Sequence, residues 1–129
     1  MLTARLKGCA ALLVMMLVVL ACGKVAAEQV PGRYEASYLF GKETLILTSD
    51  GQFVQEVAIN GEDPVKVTGS WKFDAAESRI DLDGMMVVED GVGAKRQSWK
   101  TPGLVSSDIG TYPSGILIGS AREHPYIKK

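Results

Sequence analysis

The side chains that could do chemistry are few and are scattered along the chain. His124 is the sole histidine and lies near the carboxyl end. A Ser-His-Asp relay would have to be built on it, and no G-x-S-x-G elbow is present to expose a serine. The two cysteines, Cys9 and Cys22, both fall within or at the end of an apolar amino-terminal run. With one imidazole and no thiolate in the rest of the chain, the usual tetrahedral zinc sets cannot be assembled. Asp81-Leu82-Asp83-Gly84, followed by Glu89-Asp90, offers the carboxylate oxygens that calcium takes, and strand alternation puts Asp81 and Asp83 on one face. The spacing lacks the D-x-D-x-D-G loop and its downstream bidentate glutamate, so a solvated strand face before a glycine turn is the simpler reading. Glu35 or Glu43 could join these acids in a glycosidase-like carboxylate pair, but nothing in the spacing selects one. No catalytic residue, no metal site and no cofactor is expected, and the chain reads as a non-enzyme.

The amino-terminal run supplies an address. Arg5 and Lys7 precede an uncharged stretch from Cys9 to Ala21, and no acidic residue occurs before Glu28. Thirteen residues are short of the roughly twenty that a spanning helix needs, which suits the apolar core of a secretory signal. Two cleavage sites compete. Val19-Leu20-Ala21-Cys22 resembles the lipobox of bacterial lipoproteins, which implies that Cys22 is lipidated and becomes the new amino terminus. Gly23 follows it, and the same resemblance then implies sorting to the outer membrane, facing the periplasm. Val25-Ala26-Ala27 is a small-residue site of the ordinary kind, which would leave a soluble periplasmic or secreted chain beginning at Glu28. The expected organisation is a signal peptide over residues 1–21 (alternatively 1–27), a tether over 22–31 and a single β domain over 32–129.

Composition narrows the partners. Without residues 1–27, eleven Lys and Arg face fifteen Asp and Glu, a net charge of −4. A domain of that sign has no general attraction for phosphate backbones, so nucleic acid is not expected as a partner. About a hundred residues make one domain, held by its apolar core with no disulfide.

The elements that must position any site are strands. Val65, Val67, Gly69, Trp71 and Phe73 alternate with Lys66, Thr68, Ser70 and Lys72, a period of two. Phe53, Gln55, Val57 and Ile59 alternate likewise, and Gln55 needs a partner if that face is inside. Leu45 and Leu47 pair with them across the turn Ser49-Asp50-Gly51, and Asn60-Gly61 is a hairpin signal. Further strands are expected at 32–40, 79–82, 85–89, 95–100, 115–120 and 124–128, with Asp74–Ser78 a turn and residues 101–115 a long loop. Tyr34, Phe53, Trp71 and Phe73 fall on inward faces. So many short strands must curl to remove their exposed edges. The expected fold is all-β, a small antiparallel meander of about 7–9 strands closing into a barrel or a strongly curled sheet.

Gly32-Arg33-Tyr34, Glu43-Thr44-Leu45-Ile46-Leu47, Asp50-Gly51-Gln52-Phe53 and Gly69-Ser70-Trp71 together resemble small bacterial envelope proteins with a lipocalin-like barrel. The resemblance covers residues 32–90. It differs from true lipocalins in placing G-x-W in the fourth strand, with Tyr34 in the first. Trp99, Leu104 and Tyr112 form a candidate contact patch in and beside the 101–115 stretch. The expected function is an exported, lipid-anchored, non-catalytic envelope protein that binds a partner protein or a small ligand, with the membrane reached through Cys22. The alternatives are a small inhibitor of a periplasmic hydrolase and, less favoured, an envelope hydrolase.

Overall fold

The computed structural model describes residues 23–88, 103–122 and 124–129. Within them the chain forms β1 (Gly32–Tyr38), β2 (Gly41–Leu47), β3 (Gln52–Ile59), β4 (Val65–Asp74), β5 (Arg79–Met85), β6 (Gly103–Tyr112), β7 (Gly115–Ile118) and β8 (Tyr126–Lys128). Each strand pairs antiparallel with the next, and β8 returns to β1 through Tyr34↔Lys128 and Glu35↔Ile127. The meander is therefore a closed barrel, the arrangement that leaves a sheet with no free long edge.

Alternation decides which residues fill it. Tyr34 and Ala36 from β1, Glu43, Leu45 and Leu47 from β2, and Phe53, Gln55, Val57 and Ile59 from β3 are buried. Ile80, Leu82 and Met85 from β5, Ile109 from β6, Ile118 from β7 and Tyr126 from β8 join them. Trp71 and Phe73 are partly buried and pack against this core, with the Trp71 indole N–H donating to the Thr48 carbonyl at 2.9 Å. Each large apolar side chain removed from water in this way contributes about 1.5–3 kcal/mol. Two glycines let the wall bend. A Cβ on Gly69 would overlap the Asp83 carbonyl and the Phe53 ring lying across from it. Gly84, at φ +94°, carries the register shift between Asp83 and Met85, where β5 turns inward at its end.

The two ends of the barrel differ. One end is plugged by residues 23–30, the stretch expected as a tether. Val25 and Val30 are buried in the core, and Ala27–Gln29 forms a 3₁₀ turn whose Gln29 side chain accepts from the Ala26 N–H at 2.9 Å. The Tyr34 hydroxyl donates to the Val30 carbonyl at 2.6 Å, Lys128 Nζ to the Gln29 carbonyl at 2.5 Å, and the Thr111 N–H to the Gly23 carbonyl at 3.3 Å. The other end, the mouth, gathers the turns Leu39–Phe40, 60–64 and 119–122 and the chain leaving β5.

Two further sequence expectations change. Residues 103–112, expected within a loop, are strand β6, with Val105, Ser107 and Ile109 turned inward and Leu104, Ser106 and Asp108 outward. The Gly, Ser and Thr content that suggests a loop belongs to a strand whose inward positions are only partly apolar. Residues 86–88, expected within a strand at 85–89, are not in the sheet, which keeps only Met85 of that stretch, as the last residue of β5. They fold over the mouth, where Met86 and Val88 pack on Val57, Ile59, Tyr38, Phe40 and Val67. The strand expected at 95–100 lies outside the described residues.

Candidate functional site at the mouth of the barrel

The period-two pattern places one carboxylate inside the barrel. Glu43 is in phase with Leu45 and Leu47 on β2 and has no exposed surface. Stripping water from an ionised carboxylate costs several kcal/mol unless donors replace it. Three do. Glu43 Oε1 accepts from Gln55 Nε2 at 2.7 Å and from the Tyr126 hydroxyl at 2.7 Å, while Oε2 accepts from the Tyr38 hydroxyl. Ala36 makes the reach possible. It sits opposite Glu43 on one side, and continuing the β1–β8 register it falls opposite Tyr126 on the other, so its methyl leaves the space that the phenol crosses.

Gln55 links this layer to the mouth. Its Nε2 also donates to the Met86 carbonyl at 3.0 Å, and its Oε1 accepts from the Met86 N–H at 2.8 Å. The side chain thus substitutes for a strand partner and fixes the chain where it leaves β5. Among the described residues no buried side-chain nitrogen or oxygen lacks a partner. The layer separates the large core near the plug from the smaller cluster of Val57, Ile59, Met86 and Val88.

Aromatic contacts extend the layer outward. The Tyr38 ring stacks on Phe40 with centroids 5.2 Å apart and meets His124 at 4.7 Å. The Arg122 guanidinium stands 5.3 Å over the Tyr126 ring, a cation–π contact. Burial, the Glu43 charge and its hydrogen bond push the Tyr126 phenol well above its ordinary value of 10.0. Burial alone raises Tyr34, near the plug, to about 12.

Beside this layer lies a groove of about 300 Å³ lined by Met85, Met86, Val87, Val105, Ser106, Ser107 and Arg122. It combines an apolar wall with a cation and hydroxyls, at the small end of the range for ligand pockets. A second depression of about 270 Å³ lies around Glu77, Arg79 and Asp108, and several of its polar groups are already paired. Arg79 meets Asp74 and Asp81 at 3.8 and 3.4 Å, Ser106 bonds Asp81 at 2.6 Å, and Asp108 accepts from the Ser120 N–H at 3.2 Å.

The residues singled out from sequence are dispersed. Leu104 is 67 % exposed at the mouth end of β6, and Tyr112 is 40 % exposed at the plugged end of the same strand. Eight residues of strand separate them by about 26 Å. Trp99 and Cys22 lie outside the described residues. Leu104 is joined at the mouth by Leu39, which is 98 % exposed, and by the exposed Val65 and Val87. Glu35 and Glu43 face opposite sides of the wall: Glu35 points outward, 3.0 Å from Arg33 and 3.7 Å from Lys42. Asp81 and Asp83 also face outward, with Asp81 held by Ser106 and Arg79. Among the described residues no three His, Cys, Asp or Glu side chains converge as metal ligands. The Glu43 layer is what sequence reasoning missed. Its signal was there, since Glu43 shares the phase of Leu45 and Leu47 just as Gln55 shares that of Phe53 and Val57.

Comparison with protein-family models, with curated proteins and with solved structures returned no match.

Proposed function

We propose that the chain is an exported, non-catalytic binding protein of the bacterial envelope, anchored through a lipid on Cys22 and meeting a partner protein or small ligand at its mouth. The single observation that carries the binding half is the polarity of the barrel: one end filled by residues 23–30, the other presenting a groove beside an exposed apolar rim. Glu43 supports the non-catalytic half. Its oxygens are enclosed by Tyr38, Tyr126 and Gln55 and have no exposed surface, so the carboxylate holds the interior together and meets no substrate.

The plug favours Cys22 over the later cleavage. A cut after Ala27 would remove Val25 from the core, the Ala26 N–H from its Gln29 acceptor and the Gly23 carbonyl from Thr111. A cut before Cys22 keeps all three. The lipid would then join the barrel one residue from its docking point on β6, and the mouth would face away from the bilayer. The lipocalin-like resemblance fits an eight-stranded barrel.

Native mass spectrometry of the protein extracted from its own envelope tests this reading in one measurement. The expected mass is that of a chain beginning at an acylated Cys22, carrying a bound protein or small molecule. A soluble chain beginning at Glu28 with nothing bound contradicts it.

A further inference from the structure

From Gly23 onward the stretch expected as a tether has no slack. The Gly23 carbonyl accepts from the Thr111 N–H at 3.3 Å at the end of β6, and Val25 and Val30 are buried. The Tyr34 hydroxyl and Lys128 Nζ hold the Val30 and Gln29 carbonyls, and Gln29 holds the Ala26 N–H. Freeing the segment would expose both valines, at about 1.5–3 kcal/mol each. The anchor therefore joins a rigid end of the barrel.

Reach then follows from geometry. Only Cys22 separates Gly23 from the acyl group, and one residue spans at most about 3.6 Å. The headgroup layer on one side of a bilayer is about 5–7 Å deep, half the difference between about 40–45 Å overall and about 30 Å of hydrocarbon. With its acyl chains in the hydrocarbon, Cys22 lies in that layer and Gly23 lies at its surface or within it. The residues around Gly23 are brought to the same depth. The turn 75–78 is among them, because the Ser78 carbonyl accepts from the Ile109 N–H at 3.0 Å, two residues from Thr111. Pro113 and Ser114, between Tyr112 and its partner Gly115, are another part, as are the exposed Lys24, Ala26, Ala27 and Glu28 of the plug. The Tyr112 ring lies back over Gly110, away from this rim. Lys24, two residues from the acyl group, is paired with no carboxylate among the described residues, and its ammonium suits a phosphate.

We propose that the plugged end seats directly on lipid headgroups, with Lys24 meeting their phosphates, so that the barrel stands on the bilayer. The inference rests on the lipid anchor proposed above and adds the surface that the protein presents to the membrane. It also fixes a height. About 26 Å of strand separates Leu104 at the mouth from Tyr112 at the plugged end, and strands in closed barrels tilt by about 35–45°, so the mouth stands about 20 Å from the seat. A partner is met at that height.

The test uses the isotope-labelled lipidated protein in nanodiscs of phosphatidylcholine doped with a lipid carrying gadolinium on its headgroup. Its mass is read first, then its amide NMR signals. The amides of Gly23, Lys24, Ala26, Ala76 and Ser114 should lose their signals, while those of Leu39, Gly61 and Leu104 keep theirs. Inserting about twelve Gly and Ser residues between Cys22 and Gly23, a span of about 20 Å, should restore the lost signals without altering the fold. Val25→Asp, which undocks the plug, should act in the same direction. Lys24→Gln should shift the headgroup phosphorus resonance less than the parent protein does. Even loss at both ends, loss at the mouth alone, the same pattern with and without the insertion, or an equal phosphorus shift from Lys24→Gln would each overturn the proposal. An acylated Cys22 with even loss would leave the anchor reading standing while this inference fell; a chain beginning at Glu28 would overturn both.

Discussion

Replacing Glu43 by alanine is expected to cost about 3–5 kcal/mol, a large share of the roughly 5–15 kcal/mol that holds a domain of this size. The loss is not that of three ordinary hydrogen bonds. It comes from leaving the Tyr38 and Tyr126 hydroxyls and the Gln55 amide buried without their acceptor. Glu43→Leu should fare little better, although it fills the space. The informative variant removes the donors as well. Glu43→Leu with Tyr38→Phe and Tyr126→Phe replaces a polar layer by an apolar one of similar volume, and should recover most of the stability. Denaturant unfolding of the three proteins checks this; a triple variant no better than Glu43→Ala would show that the layer is not what Glu43 serves. The single variant should also loosen the mouth, because Gln55 holds Met86 and loses its support from Glu43.

The second large effect is at alkaline pH. Tyr34 and Tyr126 both titrate above 10.0 in the folded chain, Tyr34 near 12, while in the unfolded chain they titrate near 10.0. Above pH 10 the unfolded chain therefore releases these protons first. The stabilisation is complete below that pH and is lost as pH rises through the folded values. Each phenol should lower stability by about 1.4 kcal/mol per pH unit in that window, so the pair should give about 2.8 kcal/mol per unit. Tyr126→Phe should lower stability at neutral pH by about 1 kcal/mol or more, through the lost bond to Glu43, and should roughly halve the alkaline slope. Unfolding curves between pH 10 and 12 read both. An unchanged slope in the variant would mean that Tyr126 is not the buried phenol described here.

Much of the architecture was legible because it depends on alternation. The Val65–Phe73 run and the phase of Leu45, Leu47, Phe53, Val57 and Ile59 each declare an inward face, and repeated turn signals leave closure as the way to remove edges. Three features escaped for physical reasons. β6 looks like a loop because its inward positions include Ser107, a small polar side chain that lines the groove. The plug looks like a tether because Val25 and Val30 are isolated apolar residues, joined in space by a 3₁₀ turn too short to show a period. Glu43 looks solvated because glutamate on a strand usually is, and its burial depends on Tyr126, 83 residues away and brought close by closure of the barrel. Gln55 was the visible half of that pair. The groove was not legible at all, since it is lined by the end of β5, the chain that follows it, β6 and Arg122, which only the fold brings together.

The claim that the mouth is the binding end is tested most directly by photo-cross-linking in the native cell. A photoreactive residue is placed in turn at Val87, Leu104 and Tyr112, all exposed. Val87 and Leu104 flank the mouth, while Tyr112 shares the outward face of β6 with Leu104 at the plugged end. The same adduct is predicted from Val87 and Leu104, with none from Tyr112. An adduct from Tyr112 alone, or no adduct from any of the three, would contradict it.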